Sequence, residues 1–219
     1  MLSTALFSLS LLPLSLAHFT LDWPSSRTKA ENTAENFPCG GADTPQSQRT
    51  DFPINGGPLQ LNMGHDQTNV AVYMAVGSNP GSGFSVVLRP QFQVQGLGNF
   101  CIGQVSVPSG VNVSDGTQAS IQVISNAHSG GGLYQCTDVT LRTATLSQSD
   151  YDSHCKNNTG IAISQENIPG NPNGTNTASP SASGSRAAAS PSATPGAASH
   201  VKAASWAIGV VGAAGLALL

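Results

Sequence analysis

The residues best suited to chemistry in this chain are histidines, and the first of them, His18, directly follows Ser15-Leu16-Ala17. Signal peptidase accepts only small side chains at the two positions that Ser15 and Ala17 would fill, so a cut after Ala17 is expected. That cut would give His18 a free α-amine beside its own imidazole. One residue could then chelate a metal ion through two nitrogens, and a second imidazole would complete a three-nitrogen set. Cu(II) prefers tetragonal nitrogen and oxygen ligands and heads the divalent affinity order. Zinc with an added carboxylate is the competing, tetrahedral solution. Binding requires neutral imidazole, so the affinity of such a site should fall below about pH 6.

Five histidines compete for the role of partner or bystander: His18, His65, His128, His154 and His200. His200 lies in a tail expected to be removed, and His154, beside Cys155 in a polar stretch, reads as a surface residue. His65 occupies a turn between two predicted strands, Leu61-Asn62-Met63-Gly64-His65-Asp66-Gln67-Thr68. His128 sits in Ser125-Asn126-Ala127-His128-Ser129-Gly130-Gly131-Gly132, where the glycines suit an exposed position better than a fixed ligand. Spacing favours His65 over His128 as partner for His18. A solvent-exposed loop histidine is the plain alternative for either.

Both ends carry processing signals. Residues 1–17 read as a signal peptide whose apolar stretch is too short to span a bilayer. The chain closes on the apolar run 203–219, preceded by Ser199-His200-Val201-Lys202 and the small residues Thr194-Pro195-Gly196-Ala197-Ala198. Small residues, a polar spacer and an apolar terminal tail form a GPI-attachment signal. Gly196 is the expected attachment residue, with 197–219 discarded; a membrane-spanning tail anchor is the alternative. Sequons at Asn112, Asn157 and Asn173 agree with the secretory route. The expected location is the extracellular face of the plasma membrane, on a lipid anchor, or the cell wall.

Four cysteines, Cys39, Cys101, Cys136 and Cys155, read as two disulfides in an oxidising compartment, with three pairings possible. No C-x-x-C pair supports a thiolate zinc site. Net charge is −3 and only 9% of residues are charged, with no basic run, which leaves nucleic-acid binding without electrostatic support.

Between the ends, short apolar runs alternate with Gly, Pro, Asn and Ser. Strands are expected at 19–23, 58–63, 70–76, 84–94, 100–107, 119–125 and 133–142, several with period two; Val70, Val72, Met74 and Val76 fall on one face. No stretch shows a sustained helical period. Seven short strands argue for one all-β antiparallel sandwich over 18–160. The segment 161–196, rich in Ser, Pro, Thr, Ala and Gly, is expected to be a disordered, O-glycosylated stalk.

The ordered set Ser15-Leu16-Ala17 before His18-Phe19, then Pro38-Cys39-Gly40-Gly41, Gly64-His65, and Leu133-Tyr134-Gln135-Cys136-Thr137-Asp138-Val139-Thr140-Leu141 resembles the fungal copper-acquisition-factor family. These are GPI-anchored proteins related to lytic polysaccharide monooxygenases (LPMO-like). The resemblance implies an immunoglobulin- or fibronectin-III-like sandwich. It also implies a histidine brace on one Cu(II) ion, with His18, His65 and Asp138 as ligands. Cys101 and Cys136 lie on neighbouring predicted strands and are expected to pair, leaving Cys39 with Cys155.

A carboxylate on the copper would crowd the position that oxygen or peroxide needs, and no row of aromatics accompanies Trp23 for gripping polysaccharide. The expected activity is therefore copper capture at the cell surface by a monomer, with no catalysis and with a plasma-membrane copper importer as a possible partner. The alternatives are a copper-dependent lytic polysaccharide monooxygenase and a structural cell-wall glycoprotein.

Overall fold

In the computed structural model, residues 19–27, 31–126 and 131–170 are described. The chain separates into two units, 1–178 and 179–219, and the second lies wholly outside the described residues. Among the described residues, nine strands build two sheets. β1 (Thr20–Trp23), β3 (Gly57–Met63) and β6 (Gly98–Val105) form a three-stranded sheet in the order β1-β3-β6. β2 (Thr50–Pro53), β8 (Gly132–Arg142), β7 (Gln118–Asn126), β4 (Gln67–Val76), β5 (Val86–Gln95) and β9 (Ala162–Gln165) form the six-stranded one, in the order β2-β8-β7-β4-β5-β9. All pairings are antiparallel except β2 with β8. The β-sandwich and all seven sequence-predicted strands are present.

Period two explains the core. Val70, Val72 and Met74 of β4 are fully buried and meet Leu21, Leu59 and Leu61 of the small sheet and Ile121, Val123, Val139 and Leu141 of β7 and β8. Val76, the last residue of β4, is exposed. The opposite face of β7 and β8 is also buried, which a two-layer sandwich with one wet face does not require. The cover is the segment between β1 and β2. Arg27 N–H donates to the Cys136 carbonyl, Tyr134 N–H donates to Ala34, and the Gln122 amide donates to the Pro38 carbonyl at 2.6 Å. Gly40 approaches β8 so closely that a Cβ on it would stand 2.6 Å from the Tyr134 carbonyl oxygen; its φ of +64° also suits glycine alone.

The disulfides correct the expected pairing. Cys39 joins Cys136 and Cys101 joins Cys155, with Cα separations of 5.2 and 5.0 Å. Cys101 and Cys136 belong to different sheets, β6 and β8, and are not neighbours. Cys136 faces the covering segment, which brings Cys39 to it. Cys101 faces the chain that follows the short helix α1 (Gln148–His154), where Asn157 Oδ1 accepts from Cys101 N–H at 2.7 Å.

Two further departures concern short elements. α1 has Ser147 as N-cap and no fully buried residue. β9 lies inside the segment expected to be stalk: it pairs with β5, Ile168 N–H donates to the Gln91 carbonyl, and Arg89 pairs with Glu166. Residues 161–170 thus pack on the sandwich as part of the described fold. The rest of the expected stalk, Gly196 and the terminal tail lie outside the described residues. Among the described residues, no helix is long and apolar enough to cross a membrane.

Candidate metal centre

His65 sits half-buried in the turn between β3 and β4. Two strand registers bring other chain segments to that end of the sandwich. In the small sheet, Thr20 pairs with Asn62 and Leu21 with Leu61, so β1 begins beside the end of β3 that leads into the His65 turn. In the large sheet, Val70 pairs with Ser125 and Ser125 with Leu133, while Asn126 pairs with Gly132 and its Oδ1 accepts from Asn69 N–H at 2.7 Å. The flanks of 127–130 therefore reach the same end. His18, His128 and His200 themselves lie outside the described residues. Phe19, next to His18, is buried in the core.

The start of β1 is fastened from the opposite sheet. Gln135 of β8 donates from Nε2 to the Phe19 carbonyl at 2.9 Å and accepts from Leu21 N–H on Oε1 at 2.8 Å. Thr137 on the same face donates to the Ser25 carbonyl at 2.8 Å. In the sequence Gln135 stands out only as part of the Tyr134-Gln135-Cys136 motif. Its amide carries no local signal, because its partners are backbone groups far along the chain.

Asp138 lies elsewhere. It occupies the face of β8 opposite Gln135 and Thr137, within the row Ala75–Ser120–Asp138. That row is five residues beyond Val70–Ser125–Leu133, about 17 Å further from the His65 turn at about 3.4 Å per residue. Its carboxylate is fully buried and held by cations and donors. Arg27 grips it bidentately, Nε to Oδ2 at 2.9 Å and Nη2 to Oδ1 at 2.8 Å. The Ser120 hydroxyl donates to Oδ1 at 2.6 Å, Gln46 N–H donates to Oδ2 at 2.8 Å, and Arg49 Nη1 stands 3.6 Å from Oδ1. Burial pushes the Asp138 carboxyl up, but the hydrogen bonds from Arg27, Ser120 and Gln46 outweigh it and hold the group below the usual carboxylate range. The structure thus separates Asp138 from His65 and places it in an ion-pair network, a departure from the ligand role expected of it. A bidentate, charge-assisted pair of this kind fixes geometry as well as charge.

His154 ends α1 and stacks on Trp23, ring centroids 4.6 Å apart and planes 15° from parallel. Trp23 also packs at 6.1 Å against Phe52, so it serves the core edge. Of the sequons, Asn112 and Asn157 are exposed, and Asn173 lies outside the described residues. Among the described residues, no three His, Cys, Asp or Glu side chains converge as a ligand set.

A family model described as "Copper acquisition factor BIM1-like" matches residues 16–160. An uncharacterised protein of Aspergillus fumigatus is 40% identical over 161 residues, 71% of this chain and 65% of that protein. The copper acquisition factor BIM1 of Cryptococcus neoformans is 33% identical over 138 residues, 58% of this chain and 61% of that protein. The lytic polysaccharide monooxygenase-like protein ham-7 of Neurospora crassa is 29% identical over 189 residues, 74% of this chain and 80% of that protein. The chain spans less than two thirds of the length of the first two of these.

Proposed function

Because the chain belongs to the BIM1-like copper acquisition factor family, we propose that it captures Cu(II) outside the cell through the α-amine and imidazole of His18 together with the imidazole of His65. The observation that carries this is the β1–β3 register, which starts β1 beside the His65 turn. Nitrogen donors converging at a sandwich end suit Cu(II) in type and number. Asp138 is left out of the ligand set, since Arg27, Ser120 and Gln46 already engage both its oxygens.

The same reading includes removal of 1–17, a GPI anchor near Gly196, glycans at Asn112, Asn157 and Asn173, and display at the outer face of the plasma membrane or in the cell wall. A copper importer in that membrane is the proposed recipient. The experiment that tests copper capture is a Cu(II) titration of protein beginning at His18 against protein carrying one extra N-terminal Met. The native terminus should bind one ion tightly and the extended one should lose most of that affinity. Equal binding by both would overturn the assignment.

One observation favours a second reading. With Asp138 turned away, no carboxylate from β8 crowds the metal, and a copper-dependent polysaccharide monooxygenase becomes chemically feasible. Release of oxidised sugars from cell-wall polysaccharide by copper-loaded protein would establish it and displace the capture role. An absence of such products, with copper bound, supports capture.

A further inference from the structure

Gln135 belongs to the six-stranded sheet, yet both polar atoms of its carboxamide engage the start of the other sheet's β1, at the carbonyl of Phe19 just before it and the N–H of Leu21 within it. Among the described residues, β1 is an edge strand with β3 on one side only. A backbone carbonyl and N–H at such an edge need partners when covered, and a single glutamine supplies both in place of a strand. Its row, Val72–Val123–Gln135, is two residues from the row nearest the His65 turn. The fastening therefore acts on the peptide units immediately after His18, at the end of the sandwich where His65 lies.

Resting on the copper site proposed above, we infer that Gln135 is a positioning residue for that site: by pinning the backbone of residues 19–21 it restricts the chain that follows His18 before the ion arrives. An amino terminus left unpinned must lose its backbone freedom on binding, and that loss is subtracted from affinity. Groups that orient metal ligands typically change metal affinity by about 10–100-fold when removed. A sheet-to-sheet tie with no bearing on the site is the competing role, and it would alter stability alone.

The test uses the mature protein from His18 and two substitutions, Gln135→Met, which keeps length and removes both hydrogen bonds, and Gln135→Glu, which keeps the acceptor for Leu21 and sets an oxygen against the Phe19 carbonyl. Cu(II) affinity, the electron paramagnetic resonance spectrum of the Cu(II) form, and the melting temperature of the metal-free protein are read together. The expected result is a loss of affinity of about 10–100-fold with altered copper spectral parameters in both variants. Native affinity and an unchanged spectrum, whatever the melting temperature, would overturn the inference and leave Gln135 a structural tie. If Gln135→Met does not fold, Gln135→Glu decides on the same readings. Failure of the unsubstituted protein to bind Cu(II) would instead strike the copper site itself, and the inference with it.

Discussion

At the scale of single residues, His65 stands in a turn whose place is fixed by the strands on either side, β3 and β4. The alternation of those strands marks such a turn locally in the sequence. His65→Ala should remove one imidazole from the proposed set and weaken Cu(II) binding by at least tenfold while leaving the fold intact, which calorimetric titration with a parallel melting curve would check. Asp138 shows the opposite case. Its carboxylate suits a metal, but its partner Arg27 is 111 residues away in the chain, and no local pattern announces a pairing at that distance. Asp138→Asn should leave the copper spectrum unchanged and cost about 3–5 kcal/mol of stability, because Arg27 and Arg49 would remain buried without their counter-charge. The pH dependence has a definite sign. The Asp138 carboxyl is held below its ordinary value, so its stabilisation is fully present above the unfolded carboxylate value of about 4 and is lost as pH falls toward the folded value. The gap in melting temperature between native protein and Asp138→Asn should therefore narrow on acidification below about pH 4; a constant gap would contradict the ion-pair assignment.

At the scale of elements, alternation revealed each strand that buries one face, and failed for those that do not. All four residues of β9 are exposed, so it carries no apolar period and merges with the Ser-rich sequence after it. β2 is four residues long and ends on Pro53, a poor candidate from propensity alone. α1 buries none of its residues, leaving only its Ser147 cap as a signal. The disulfide pairing departs from the expected one because sheet membership, which sequence adjacency does not reveal, decides which cysteines meet. Replacing Cys39 and Cys136 together with Ser should destabilise the protein by about 2–5 kcal/mol in denaturant titrations and loosen the cover over β7 and β8. Truncation after residue 160 removes β9 and the Glu166 contact to Arg89. Amide exchange in β5 should then rise relative to a truncation after 170, and unchanged protection would place the domain end at 160 after all.

At the scale of the whole molecule, the fold makes sense as a scaffold that brings distant segments to one end. The small sheet delivers the start of β1, the turn that crosses from β3 in one sheet to β4 in the other delivers His65, and Gln135 links the two sheets. The covering segment, locked by the Cys39–Cys136 bridge and the Arg27–Asp138 pair, follows directly from β1 and steadies it from the other end. A metal gripped by the first residue of a chain depends on that chain being cut in one place and held in one place, and these two requirements can be probed together. Electron paramagnetic resonance of the Cu(II) form, for protein beginning at His18 and for the same protein with one residue added before it, does so most directly. The native terminus should give an axial signal with coupling to three nitrogens, reduced by the extension. Identical spectra from the two proteins would contradict amino-terminal coordination.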